Sequence, residues 1–268
     1  MLAEPKPRVL TFLSALRDDD KGGTLVNLAA SLARQGNQVL MVDARATQDS
    51  IGAWLNARHD RTLLDVAKQQ RTMQEAIKVV ASGLSVTMLS NETVAPSGLS
   101  LETGRRLSRV FDVIVSRSDL VIVDSDLDAS DTFPLNSLDD SEIVIQVSAD
   151  PAQIKAAYGL IKRVSNRLGR REFGILVSGA TESEARLVFA NMSQAASRYL
   201  ALPLYFIGHV PEDEHVKKAA NLGRSVIDAF PLARASLAFA GLAEKLALSA
   251  RSTLRLEGIA ELGVGLGI

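Results

Sequence analysis

The residues Ser14-Ala15-Leu16-Arg17-Asp18-Asp19-Asp20-Lys21 stand between an apolar run and a helical pattern, where a phosphate-binding loop would stand. Such a loop uses glycines, because their backbone N–H groups can curl around phosphates at a helix N-terminus, where the helix dipole also favours anions. Here no glycine precedes Lys21 and three aspartates occupy the curl. Residues other than glycine resist the positive-φ turns that expose those N–H groups. A carboxylate about 5 Å from a phosphate costs ~3 kcal/mol at an effective dielectric near 20, so three of them outweigh the one cation of Lys21. Two further charged segments, Asp43 to Arg45 and Asp124 to Asp128, also follow apolar runs.

Apolar runs and amphipathic segments alternate along the whole chain, and these are the elements that must position the charges. Strands are expected over 8–14, 38–45, 84–89, 120–124, 142–147, 173–178 and 204–208. Helices are expected over 24–36, where Gly36 supplies a C-terminal stop, and near 101–116, 151–168, 182–199 and 232–249. That order predicts an α/β fold: a doubly wound, mostly parallel sheet flanked by helices on both faces. Such sheets bind ligands beyond the carboxyl ends of their strands. Ser14 to Lys21, Asp43 to Arg45 and Asp124 to Asp128 all fall there.

The 268 residues, 47% of them hydrophobic, suffice for one large core, so residues 1–250 are expected to form a single domain, with 251–268 as a C-terminal tail. A formal net charge of −1 without a long basic run gives no footprint for nucleic acid. The absence of cysteine excludes disulfides, thiolate nucleophiles and Cys-based metal sites, and fits a cytoplasmic protein. His209 and His215 are six apart rather than four, so they do not share a helix face as metal ligands, and no metal site is expected. In the tail, Leu254, Leu256, Ile259, Ala260 and Leu262 could form an apolar stripe. Glu257 and Glu261 offset Arg251 and Arg255, and Gly258 and Gly263 weaken a helix, so membrane association is expected to be weak or to come through a partner.

The run from Arg8 through the Asn27-Leu28-Ala29 segment to Val39-Leu40-Met41-Val42-Asp43-Ala44-Arg45 resembles the MinD/ParA deviant-Walker ATPases, with their S-G-K-G-G-V-G-K-T loop, N-L-A helix and V-L-L-x-D-x-D strand. The segment Asp150-Pro151-Ala152-Gln153-Ile154-Lys155-Ala156-Ala157-Tyr158-Gly159-Leu160-Ile161-Lys162 resembles the P-x-x-I-x-x-A-Y-x-L-I-K stretch of the FlhG/FleN/YlxH branch, which regulates flagellar number and placement. Glu184 to Phe189, Phe206 to Asp213 and Phe230 to Ser236 resemble that branch's E-A-x-x-V-F, G-x-I-P-x-D and Y-P-x-S-x-A-S stretches, so the likeness runs from about residue 8 to about 248. The branch's N-terminal D-Q-A-x-x-L-R-like segment, which engages the GTPase FlhF, does not precede Arg8, and this leaves FlhF activation open.

The resemblance implies where an ATP and Mg²⁺ site would lie. Lys21 falls at the family's loop lysine, Leu16 at the signature lysine, with Arg17 beside it, Gly22 at the Mg²⁺-ligating hydroxyl and Arg45 at the water-positioning aspartate. Ser178 falls at the adenine-contacting asparagine. Lys21, Asp43 and Asp124 remain as charged relics of the site, no catalytic residue is assigned, and no cofactor is expected. Two readings of the relics stay open: Asp43 and Asp124 cap loops while Lys21 pairs with Asp18 to Asp20, or Asp18 to Asp20 with Asp124 bind a divalent cation. The functional expectation is an FlhG-like pseudo-ATPase that binds flagellar assembly proteins, an FlhF-like GTPase among them, in the cytoplasm. The alternatives are an active ATP switch, or a sister-branch protein of cellulose secretion, pilus assembly or DNA partition.

Overall fold

Runs such as Leu-Val-Ile-Val-Asp at 120–124 and Phe-Gly-Ile-Leu-Val-Ser at 173–178 are apolar on both faces and buried along their whole length, as strands covered on both sides must be. The computed structural model describes residues 7–15, 21–45, 51–55, 61–91 and 98–263, with side chains as far as Leu248 except that of Ala53. Its strands are β1 (Arg8–Ser14), β2 (Val39–Asp43), β3 (Ile77–Ala81), β4 (Leu84–Met88), β5 (Leu120–Asp124), β6 (Glu142–Val147), β7 (Phe173–Ser178) and β8 (Leu204–Val210). They form an eight-stranded sheet in the order β3-β4-β2-β5-β1-β6-β7-β8. Every neighbouring pair is parallel except β3 with β4.

Helices α1 (Lys21–Arg34), α2 (Ile51–Trp54), α8 (Glu214–Asn221), α9 (Val226–Ala229) and α10 (Arg234–Gly263) contribute to one apolar layer through residues such as Leu28, Ile51, Val226 and Phe239. Helices α3 (Leu63–Ala67), α4 (Met73–Ala76), α5 (Leu101–Val115), α6 (Pro151–Leu168) and α7 (Glu182–Leu200) contribute to the other through residues such as Leu63, Phe111, Ile161 and Val188. The expected doubly wound α/β architecture is therefore the observed one, and β5, β6 and β7 begin and end where the sequence places them.

Three features depart from expectation. Strand β3 was not anticipated, because Met73 to Ala81 continues an amphipathic run without a break. It folds back on β4 through a turn in which Gly83 takes φ +74°, a conformation that favours glycine. Helix α1 includes Lys21, Gly22 and Gly23 ahead of the expected Thr24, although Gly22 and Gly23 are poor helix formers. The Asn27 side chain donates to the Gly23 carbonyl at 2.7 Å and accepts from the Val226 backbone N–H at 2.7 Å, which pins this first turn to α9. Helix α10 runs from Arg234 to Gly263, so position 251 lies inside a continuous backbone helix. The side chains of the expected tail stripe, Leu254 to Leu262, fall outside the described residues.

Asp213 joins the ends of two helices. Its Oδ1 accepts from the His215 N–H at 3.0 Å, its Oδ2 accepts from the Ala235 N–H at 3.0 Å, and the His215 ring lies 2.7 Å away. Burial pushes this carboxyl up, but the two N–H groups and His215 outweigh it and hold it at about 2. A carboxyl lowered on folding stabilises above its unfolded value of roughly 4 and ceases to do so as pH falls toward 2. Asp213→Ala is expected to cost about 2 kcal/mol at pH 7, two lost caps at ~1 kcal/mol each. Denaturant titrations should show the gap to wild type closing as pH falls below about 4; a gap unchanged down to pH 2 contradicts the assignment.

Candidate functional site

The register of the central strands sets the site. Asp43 at the end of β2 lies directly opposite Asp124 at the end of β5, and Asp124 is level with Phe12 of β1. Both carboxylates are fully buried. Two neighbouring buried carboxylates need cations beside them, since an isolated buried charge costs several kcal/mol. Lys21 and Arg45 supply them.

The Lys21 side chain is 3% exposed, and its ammonium lies 2.8 Å from Asp124 Oδ1. It also donates to the Ser125 carbonyl at 3.0 Å and to Asp126 Oδ1 at 3.3 Å. Arg45 Nε donates to the other oxygen of Asp126 at 2.7 Å, so Asp126 bridges the two cations. Asp43 accepts from the Arg45 N–H at 3.2 Å and from the Gly52 N–H at 3.1 Å, which caps the loop after β2 and the first turn of α2. Burial pushes the Asp124 carboxyl up; Lys21 and Arg45 oppose that, and Asp43 adds to it. Burial disfavours the Arg45 charge, yet Asp126, Asp124 and Asp43 hold the guanidinium above its ordinary value. Among the described residues Arg45 Nη1 has no hydrogen-bond partner, and the Lys21–Asp124 contact at 2.8 Å is a buried ion pair.

The segment carrying Asp126 is fastened on its far side. Asp128 accepts from the Ser130 and Thr132 N–H groups at 2.8 Å and from the Thr132 hydroxyl at 2.6 Å. Arg163 of α6 pairs with Asp131 and donates to the Asp128 carbonyl. Arg167 donates to the Asp131 carbonyl and to Asp139. At the other end of the sheet head, buried Gln146 donates to the Ser178 hydroxyl at 3.0 Å.

The three sequence-selected residues Lys21, Asp43 and Asp124 thus come together at the carboxyl ends of β2 and β5, and Asp43 caps its loop. Leu16, Arg17 and Asp18 to Asp20 lie outside the described residues. Among the described residues the partners of Lys21 are Asp124, Ser125 and Asp126. Sequence reasoning missed the bridging role of Asp126 and the position of Trp54. The Trp54 ring lies 3.1 Å from where a Cβ at Gly23 would stand, so any larger residue there would have to push the ring back by a few tenths of an ångström. The glycine pair Gly22-Gly23 opening a helix was the available signal of a close approach.

A parallel α/β sheet with a buried lysine opening the first helix and two aspartates ending adjacent strands is the arrangement of a P-loop NTPase domain. The family described as 4Fe-4S iron sulfur cluster binding proteins, NifH/frxC family, matches residues 19–257. Antiactivator FleN of Pseudomonas aeruginosa is 30% identical over 226 residues, covering 84% of this chain and 81% of that protein. An uncharacterized ATP-binding protein of Methanocaldococcus jannaschii is 28% identical over 84% of both chains. The septum site-determining protein MinD from Pyrococcus horikoshii, solved with Mg-ADP, superposes with TM-score 0.65 over 90% of this chain and 96% of its own, at 18% identity. The chain belongs to the MinD/ParA family of P-loop ATPases, on its FlhG/FleN branch.

An iron–sulfur cluster held by thiolates does not fit this chain, which has no cysteine. The fit to Mg²⁺ and ATP is partial. Lys21, Asp43 and Asp124 bring an ammonium and two carboxylates together, whereas the side chains of Gly22 and Arg45 offer no oxygen to a metal or a water. Among the described residues no helix is long and apolar enough to cross a membrane.

Proposed function

We propose that this chain is a regulator of flagellar number and placement that works by binding protein partners and does not hydrolyse ATP. The likeness to antiactivator FleN supports the flagellar role, with flagellar assembly proteins and an FlhF-like GTPase as the partners to test. The observation that carries the noncatalytic part is the Lys21 ammonium, enclosed by Asp124, Ser125 and Asp126 oxygens with Arg45 on the far side of Asp126. A phosphate binding there would have to displace a carboxylate from the lysine that should receive it. In this reading the protein acts in the cytoplasm, reaches the membrane only through a partner, and binds no nucleic acid.

Thermal melts with millimolar ATP and Mg²⁺ test the noncatalytic part. A nucleotide bound at 100 times its Kd adds ~2.7 kcal/mol, roughly 5–11 °C for a chain of this size. The expected shift is below about 1 °C, with no dimer on size exclusion and no change in the fluorescence of Trp54, the chain's one tryptophan, which packs on the first turn of α1. A rise of several degrees would overturn it and favour the second reading, an ATP-dependent switch. Retention of Lys21, Asp43 and Asp124 and the likeness to the uncharacterized ATP-binding protein of Methanocaldococcus jannaschii speak for that second reading.

A further inference from the structure

Leu101, Gly104, Arg105 and Ser108 have the spacing that places side chains on one face of a helix, here α5. With Pro134 to Asn136 they line an open groove of about 260 Å³, whose floor includes buried Leu107 and Leu135. That is smaller than the roughly 300–1,000 Å³ of small-molecule sites, and suits one or two side chains of a peptide. At its mouth Leu101 is 72% exposed, which is unusual for a leucine on a helix with one well-buried face. A Cβ built on Gly104 meets nothing within 4 Å, so the space above the helix is open.

One exposed cation lines the groove and a second lies one turn beyond it on α5. Arg105 and, one turn on, Arg109 are exposed and make no ion pair among the described residues. The nearby Glu102 is engaged by Arg106 at 2.5 Å. An apolar slot beside guanidiniums that make no ion pair among the described residues complements a segment that carries both an aliphatic side chain and carboxylates. Nucleic acid fits less well, because the slot is apolar and Glu102 and Asp112 share the helix.

We infer that the outer face of α5 docks an acidic amphipathic segment of a partner protein, its apolar side chain seated over Leu107 and Leu135 and its carboxylates on Arg105 and Arg109. This extends the partner-binding reading above. Its test needs no nucleotide, so failure here leaves the ATP result standing, and the reverse holds as well.

The probe is a short synthetic helical peptide with leucines at i and i+4 flanked by glutamates, titrated into the full chain carrying methyl-labelled leucines. The methyl signals of Leu101, Leu107 and Leu135 are expected to move. Arg105→Glu and Gly104→Leu should each weaken binding by roughly tenfold or more. The first reverses the charge and the second fills the slot with a residue that favours a helix over glycine. Both variants should melt no lower than wild type, and a peptide with lysines in place of the glutamates should not bind. The inference is overturned if those methyls stay still with the acidic peptide, if both folded variants bind it as wild type does, if the lysine peptide binds equally, or if a single-stranded oligonucleotide competes for the groove.

Discussion

Replacing Lys21 by methionine is expected to lower the stability of this protein by about 3–5 kcal/mol, because it strands the buried Asp124 carboxylate without its cation. For a chain of this length that is a fall in Tm on the order of 10 °C. In a nucleotide site held open for phosphate, the loop lysine faces the ligand and its removal costs mainly affinity. Here the ammonium lies among protein oxygens, so its removal should cost folding. Adding Asp124→Asn to Lys21→Met should recover more than half of the loss, since the double variant leaves no unpaired buried charge between the two positions. The deficit of the single variant should also shrink as pH falls: burial already pushes the Asp124 carboxyl up, and an acid whose folded value is raised gains stability as it takes up its proton. Urea titrations of wild type, both single variants and the double variant at two pH values decide it. A Lys21→Met chain as stable as wild type would show that the pair is incidental.

The same cluster shows what could be read from residue order and what could not. Strands β5, β6 and β7 were legible because each is a short apolar run with both faces covered, bounded by polar residues. The meeting of Lys21, Asp43 and Asp124 was legible through topology, because a parallel sheet brings the carboxyl ends of its strands together whatever their separation along the chain. The partner of Lys21 was not. Asp124 reaches it because β5 pairs with β1, a contact more than a hundred residues long that no local pattern announces. Asp126 was hidden for a related reason. On paper it is one acid among several after β5, and its bridging role exists only once Lys21 and Arg45 stand on either side of it. Strand β3 was lost to periodicity, since a short edge strand running on from a helical turn has too few residues to declare its own repeat.

Arg45→Asp, which restores the family's second aspartate, is expected to harm the protein rather than repair it. The substitution removes the guanidinium that pairs with Asp126 at 2.7 Å and that also faces Asp124 and Asp43. It leaves carboxylates at positions 43, 45, 124 and 126 around the single ammonium of Lys21. Breaking such a pair on its buried side costs about 3 kcal/mol, the lower end of the range because Asp126 is half exposed. A cluster of carboxylate oxygens of this kind attracts a hard cation, so the variant should regain stability in millimolar Mg²⁺ or Ca²⁺ and lose it in EDTA. The gain should be about 1–3 kcal/mol for an ion present at 10 to 100 times its Kd. Wild type, with Arg45 in place, should melt at the same temperature in either buffer. Phosphate release from ATP should stay at background in the variant, because residues that act as a catalytic unit do not restore activity one at a time and Gly22 still lacks a hydroxyl. Melting curves of both proteins in EDTA and in Mg²⁺, with a phosphate-release assay on the same samples, separate the outcomes. Turnover in Arg45→Asp would mean that the residues before Lys21 hold ATP after all, and that Arg45 alone had silenced the site.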